Sequence, residues 1–249
     1  MTATASQELT SKKTASELQV KVFADGADRE NMLESYANPL ISGFTTNPTL
    51  MRRAGVTDYR AFAHDIIKEI PDRHISFEVF SDDFVDMERQ AREIATWGDN
   101  VYAKIPITNT KGETSYEMVN RLSQDGVKVN VTAIFLLDQV RAVAEAVDGG
   151  APCCVSVFAG RIADAGLDYM PVMAESVEIL KPNPKAELIW ASPREVYNVV
   201  QADDIGCHII TCTSDIIKKL PTFGKELGQF SLETVQLFYE DASAAGYSL

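Results

Sequence analysis

From residue 19 onward the chain alternates short apolar runs with amphipathic stretches. The apolar runs lie at 20–24, 40–44, 74–80, 101–107, 127–134, 152–158, 187–191 and 208–212. They are rich in Val, Ile and Phe and bounded by Gly, Pro, Asn or Asp, the pattern of strands buried on both faces. Between them the spacing predicts helices over 28–36, 58–70, 84–97, 113–124, 137–147, 169–180, 193–202 and 214–220, and a last amphipathic stretch over 232–244. The stretch 84–97, for example, gathers Phe84, Met87, Ala91, Ile94 and Ala95 on one side. Asp28 is a capping residue, and Asn38-Pro39, Pro71, Asp125-Gly126, Gly149-Gly150 and Pro221 mark stops.

Eight strand–helix units in about 200 residues is the count of a (β/α)8 TIM barrel. The competing α/β architecture is a doubly wound open sheet. No Gly-x-Gly-x-x-Gly follows the first strand, no phosphate-binding P-loop occurs, and no composition shift divides the chain. The expectation is therefore one barrel domain over 19–249 with a C-terminal helix. Residues 1–18 are Thr/Ser/Lys-rich with no apolar core segment, and read as a loose tail or short helix, not a secretory signal.

One strand breaks the apolar rule. Val101-Tyr102-Ala103-Lys104-Ile105-Pro106-Ile107-Thr108 carries a lysine inside a β-branched run. Lysine is almost never fully buried without a partner or a role. Burial penalises its charged form, and an uncharged amine is a nucleophile towards a carbonyl carbon. The bland alternative is a strand-end lysine whose ammonium reaches solvent.

The other strands argue for the functional reading. Their C-terminal ends, where a barrel builds its active site, carry Asp25, Thr45 and Asn47, Glu78, Lys104, Asn130 and Thr132, Ser156 and Arg161, and Ser192 and Arg194. Turn chemistry explains any one of them. Lys104, Asn130 and Thr132 instead lie within apolar strands, where an unpaired polar group is costly. A lysine in such a setting adds to a ketose carbonyl, and the iminium is an electron sink for cleavage of the C3–C4 bond. Asp25 is placed to take the C4 hydroxyl proton, and Glu78 with Thr132 to hold a water for proton transfers. Asn47, Asn130 and Ser156 suit sugar hydroxyls. Arg161 and Arg194, with Ser192, suit a terminal phosphate.

Composition narrows the partners. The chain has 249 residues, 45% of them hydrophobic, and a formal net charge of −13, which disfavours nucleic acid or an anionic membrane as partner. No apolar run is long enough to span a bilayer. Cys153, Cys154, Cys207 and Cys212 lack zinc-ribbon spacing and read as reduced core thiols of a cytoplasmic protein. His64, His74 and His208 form no pair with metal-ligand spacing.

Five segments carry a family resemblance: Gly43-Phe44-Thr45-Thr46-Asn47-Pro48-Thr49, Tyr102-Ala103-Lys104-Ile105-Pro106, Asn130-Val131-Thr132, Ser156-Val157-Phe158-Ala159-Gly160-Arg161-Ile162 and Ala191-Ser192-Pro193-Arg194. In this order and spacing they resemble the transaldolase family, in the short form that includes the fructose-6-phosphate aldolases. The resemblance implies a TIM barrel in which Lys104 forms the Schiff base and Asp25 is the acid/base at C4. It implies Glu78 and Thr132 around the catalytic water, and Thr45, Asn47, Asn130 and Ser156 at the dihydroxyacetone part. Arg161, Ser192 and Arg194 fall at the phosphate. Glu78 and Phe158 match transaldolases, whereas aldolase members tend to have Gln and Tyr there.

The activity implied is transfer of a dihydroxyacetone unit from sedoheptulose 7-phosphate or fructose 6-phosphate to an aldose phosphate, in the pentose phosphate pathway. No cofactor or metal is implied. A homo-oligomer, pentamer or decamer, is implied, with 232–244 packing on a neighbour. Two other readings stay open: an aldolase releasing free dihydroxyacetone, and a non-catalytic sugar-phosphate-binding barrel.

Overall fold

The computed structural model describes residues 13–247. These form two units. One is residues 19–218, and the other is the described parts of 1–18 and 219–249. The first contains eight parallel strands: β1 (Lys21–Asp25), β2 (Ile41–Thr45), β3 (His74–Glu78), β4 (Val101–Pro106), β5 (Val129–Ile134), β6 (Cys153–Val157), β7 (Ala186–Trp190) and β8 (Ile209–Cys212). Each pairs with the next, and β8 returns to β1, so the sheet is closed. That closure is the (β/α)8 barrel and rules out the open doubly wound sheet. The second unit holds a 3-10 turn at Ala15–Glu17, another at Leu220–Thr222, and the helix Leu227–Ala244. Most of the expected N-terminal tail, residues 1–12, lies outside the described residues.

The strands alternate side chains between the two faces of the sheet, which is why polar residues two apart reach the barrel interior together. Cross-strand register does the rest. Glu78, Lys104 and Asn130 are successive partners on β3, β4 and β5. Below them Phe23, Cys154, Ile189 and Ile209 pack as an apolar plug with Tyr102 against it. Gly43 makes room for that plug: a Cβ there would fall 2.6–2.7 Å from the Phe23 ring. All four cysteines are buried free thiols. Burial pushes Cys153 and Cys207 up to about 12, far from a thiolate at neutral pH.

Helix starts follow local chemistry. Asp28, Asp58 and Asp83 each accept a hydrogen bond from a backbone N–H three residues on, at 2.9, 2.9 and 3.0 Å. Helix Phe84–Ala95 buries Met87, Ala91 and Ile94 as its pattern requires. Two short helices are absent from the sequence reading: Pro48–Arg53 and Ala159–Asp164. Each is too short for a helical period to register, and Gly160 lowers propensity further. Two expected helices begin late. In 193–202 the observed start is Tyr197, because Asn198 Oδ1 accepts from the N–H groups of Arg194 and Glu195 at 2.8 and 3.1 Å and holds them in a loop. In 113–124 the start is Tyr116, because Asn109 Oδ1 ties down the N–H groups of Lys111 and Glu113. The last helix is longer than its apolar pattern, starting at Leu227 after the Glu226 cap.

The Gly43 contact is testable. Gly43→Ala drives a methyl into a buried ring and is expected to destabilise by about 1–3 kcal/mol, read as a lowered denaturation midpoint at unchanged m-value.

Candidate active site

At the C-terminal ends of the strands lies a cavity of about 540 Å³. Lys104 is at its floor, 6% exposed. Its Nζ donates to the Thr46 carbonyl oxygen at 2.8 Å and lies 3.0 Å from Glu78 Oε2. Burial alone, all that the sequence shows of Lys104, implies an uncharged amine. The β3–β4 register supplies a carboxylate as well, so the amine stands as half of a close ion pair.

The turn after β2 organises much of this. Thr45 Oγ1 donates to Asp25 Oδ1 at 2.8 Å and shares a 2.5 Å hydrogen bond with Thr211 Oγ1. Thr46 Oγ1 and N–H both donate to the Ser76 carbonyl oxygen, which aims the Thr46 carbonyl at Lys104. Asn47 Oδ1 accepts from the Leu50 N–H and caps helix Pro48–Arg53, whose first residue is proline. Asn47 therefore offers the cavity its Nδ2 donor. The Thr-Thr-Asn-Pro sequence is explained residue by residue: each member holds a different element.

Asp25 is half-buried at the cavity wall. Burial pushes its carboxyl above the usual carboxylate range. The Lys104 charge and the Thr45 hydrogen bond pull it back, and Glu78 adds to the rise. Tyr59 donates its hydroxyl proton to the Glu78 carbonyl oxygen at 2.9 Å and fixes that end of β3. Thr132 Oγ1 is buried with no protein partner and faces the same cavity.

Of the residues expected at the site, Asp25, Thr45, Asn47, Glu78, Lys104, Thr132, Ser156, Phe158, Arg161 and Ser192 line the cavity. Asn130 and Arg194 do not. Asn130, the strand partner of Lys104, is fully buried behind Ser156, accepting from Ser156 Oγ at 2.7 Å and donating to Ser76 Oγ at 3.0 Å. Arg194 is committed to Asp164: Nε donates to Oδ1 at 2.8 Å, Nη2 meets Oδ2, and Nη1 donates to the Ser192 carbonyl oxygen at 3.2 Å. Arg161 lies 5.8 Å above the Phe158 ring.

Thr211, Arg53, Leu50, Phe135 and Ala133 also line the cavity and were not expected from sequence. Thr211 carried a usable signal, a hydroxyl inside an apolar strand. Ala133 is an apolar residue of β5 and Leu50, Arg53 and Phe135 lie on a short helix or a loop, so spacing gives none of them away. Ala133 and Ser192 have φ of 61° and 58°. Both abut the cavity, where backbone held in the left-handed region commonly marks function. Gly160 is obligatory beside Ser192, since a Cβ would lie 1.5 Å from the Ser192 carbonyl oxygen. Among the described residues no three His, Cys, Asp or Glu side chains are grouped as a metal ion requires.

The sequence pattern described as Transaldolase/Fructose-6-phosphate aldolase matches residues 22–248. The probable transaldolase of Dehalococcoides mccartyi is 34% identical over 202 residues, 81% of this chain and 90% of that protein. The probable transaldolase of Thermoanaerobacter sp. is 37% identical over 205 residues, covering 81% and 89%. That of Methanococcus vannielii is 34% identical over 218 residues, covering 86% and 94%. Among solved structures, 2,3-dimethylmalate lyase superposes with a TM-score of 0.53 at 13% identity, over 94% of this chain and 86% of that one. The native KDPGal structure gives 0.53 at 14% identity, over 88% and 97%. These two share the fold.

The raised Asp25 pKa has a signed consequence. The folded state keeps the proton to higher pH than the unfolded chain, so the ionised carboxylate opposes folding above that range and not below about pH 4, where both states are protonated. Asp25→Asn is expected to melt above the wild type at pH 7, with the gap closing as pH falls towards 4, in thermal denaturation across pH.

Proposed function

The chain belongs to the transaldolase/fructose-6-phosphate aldolase family, and from that premise we propose that it transfers a dihydroxyacetone unit from a ketose phosphate to an aldose phosphate through a Schiff base on Lys104. The observation that carries the reading is a buried lysine at the cavity floor with Glu78 at 3.0 Å and a carboxyl of raised pKa, Asp25, sharing its cavity.

Glu78 takes a proton from Nζ, and the freed amine attacks C2 of the ketose. The carbinolamine loses its hydroxyl as water, and Glu78 with Thr132 handles that water and its return. The buried, unpartnered Thr132 hydroxyl supports this role. Ionised Asp25 removes the C4 hydroxyl proton. The C3–C4 bond breaks, its electrons flow into the iminium, and the aldose departs. The three-carbon enamine stays on Lys104 until an acceptor aldehyde takes its C3 carbon, with Asp25 returning the proton to the new hydroxyl. Hydrolysis frees the product ketose and the amine. Asn47 and Ser156 bind the dihydroxyacetone hydroxyls, with Asn130 behind Ser156. Arg161 and Ser192 bind the phosphate. Arg194 acts there by holding the Ser192 carbonyl, as its pairing with Asp164 favours.

The aldolase alternative differs in protonation of the enamine. A carboxylate at Glu78 and no phenol at Phe158 leave fewer proton donors at the enamine, which favours transfer over release. Self-association belongs to the same reading. Helix Leu227–Ala244 keeps Phe230, Val235, Leu237 and Phe238 exposed, and exposed apolar surface of that kind marks association.

Borohydride with fructose 6-phosphate is expected to fix an adduct on Lys104. Lys104→Ala should give none and lose turnover by roughly 10⁴-fold or more; full activity in that variant would remove the reading. Product analysis should show a new ketose only when an aldose phosphate is supplied, whereas free dihydroxyacetone without acceptor would favour the aldolase. Light scattering should return several times the mass of one chain, and a monomer would exclude the assembly.

A further inference from the structure

Beneath the cavity the barrel interior carries a line of polar side chains only partly used by the chemistry above. It starts at His74, the first residue of β3, whose Nε2 shares a 2.7 Å hydrogen bond with Ser76 Oγ. Ser76 Oγ accepts from Asn130 Nδ2 at 3.0 Å, and Asn130 Oδ1 accepts from Ser156 Oγ at 2.7 Å. Ser76 and Asn130 are fully buried, so bulk water does not compete for these groups. Ser156 alone of the four lines the cavity.

Each link in such a line has a direction. A hydroxyl has one proton, and a carboxamide has a donor end and an acceptor end, so polarity set at one terminus passes to the other. Asn130 cannot set it, because its two partners are both serines and a hydroxyl serves either end equally well. His74 can. With Nε2 unprotonated, it takes the Ser76 proton. Ser76 then accepts from Asn130 Nδ2, Asn130 Oδ1 takes the Ser156 proton, and Ser156 turns only lone pairs towards the cavity. A proton on Nε2 frees the Ser76 proton for Asn130 Oδ1 in a turned amide, whose Nδ2 then donates to Ser156 and leaves Ser156 a proton to offer.

With Asn130 Nδ2 on Ser76 and Oδ1 on Ser156, the buried Ser76 proton has His74 Nε2 as its acceptor, which is the first arrangement; a protonated Nε2 would leave that proton without a partner. The surroundings of His74 agree. Its ring stacks on Tyr102 at 3.8 Å and 8° and meets the Phe23 ring edge-on at 4.9 Å. Burial, with the charges of Lys21 and Lys128 adding, pulls its pKa down to about 3, which excludes the imidazolium and its obligatory Nε2 proton.

We infer that His74, acting through Ser76 and Asn130, is a positioning residue that fixes Ser156 as a hydrogen-bond acceptor, so that this wall of the cavity selects a ketose bearing a hydroxyl donor on the carbon next to its carbonyl. The inference rests on the dihydroxyacetone-transfer reading. Asn130 is the strand partner of Lys104 and holds Ser156 at the cavity wall, and the C1 hydroxyl of a ketose joined to Nζ is assigned to Ser156. A methyl ketone in the same place leaves the Ser156 lone pairs unmatched.

The test compares kcat/KM for fructose 6-phosphate with that for its 1-deoxy analogue. In His74→Leu the ratio is expected to fall about 3- to 10-fold, the scale of one hydrogen bond. Ser76→Ala cuts the line without removing a ring from the barrel and should lower the ratio alike, which keeps the test alive if the Leu variant does not fold. His74→Gln offers an amide oxygen to the Ser76 proton and should keep the wild-type ratio. A change in stability alone moves both substrates together and leaves the ratio fixed. An unchanged ratio in Ser76→Ala, or a Gln variant as unselective as Leu, overturns the role of His74 while the Lys104 chemistry stands. Failure of borohydride and fructose 6-phosphate to label wild-type Lys104 removes the parent reading, and this inference with it.

Discussion

The molecule is arranged around a single close ion pair inside a barrel, Lys104 Nζ to Glu78 Oε2 at 3.0 Å. Two charges removed from water are stabilised only when geometry and extra hydrogen bonds repay their desolvation. Here the Thr46 carbonyl supplies the second contact to the amine. The pair is therefore weak evidence for stability and stronger evidence for chemistry. Its partners also explain why neighbouring groups are so heavily tied down. A group proposed to act as a nucleophile has to be held within tenths of an ångström of its working position.

That demand is met by concentrating constraints in short segments. Three successive residues at the end of β2 hold Asp25, Lys104 and the start of a helix. On the far side of the barrel, Gly160 lies against the Ser192 carbonyl, and Arg194 is locked to Asp164 and to that same carbonyl. Among the described residues the only non-glycine positions in the left-handed region are Ala133 and Ser192, and both border the cavity. Strain of this kind persists only where surrounding contacts over-determine the backbone. The rim is thus rigid at β2, β5 and β7, where substrate groups would be gripped.

The floor is governed differently. Where the rim uses charge, the interior line from His74 to Ser156 uses neutral groups in a fixed sequence of donors and acceptors. Neutral hydrogen bonders suit this layer because Lys104, Glu78 and Asp25 already place three titratable groups close together, and a further charge would shift all three.

The one-dimensional pattern was sufficient for the architecture and for most of the polar residues that line the cavity. Apolar runs alternating with amphipathic stretches predict eight strand–helix units, and a polar residue inside such a run must face something, so Lys104, Glu78 and Thr132 were identifiable before any contact was known. What a linear pattern lacks is the partner across the sheet. Register, not sequence spacing, set Glu78 and Asn130 on either side of Lys104, and closure of the barrel brought Thr211 of β8 to Thr45 of β2. Arg194 carries the same charge whether it faces a phosphate or a carboxylate, and only the fold, by bringing Asp164 to it, decides between them. Residue identity fixes which interactions are possible, and chain geometry in three dimensions selects among them, because hydrogen bonds and ion pairs act over a few ångströms.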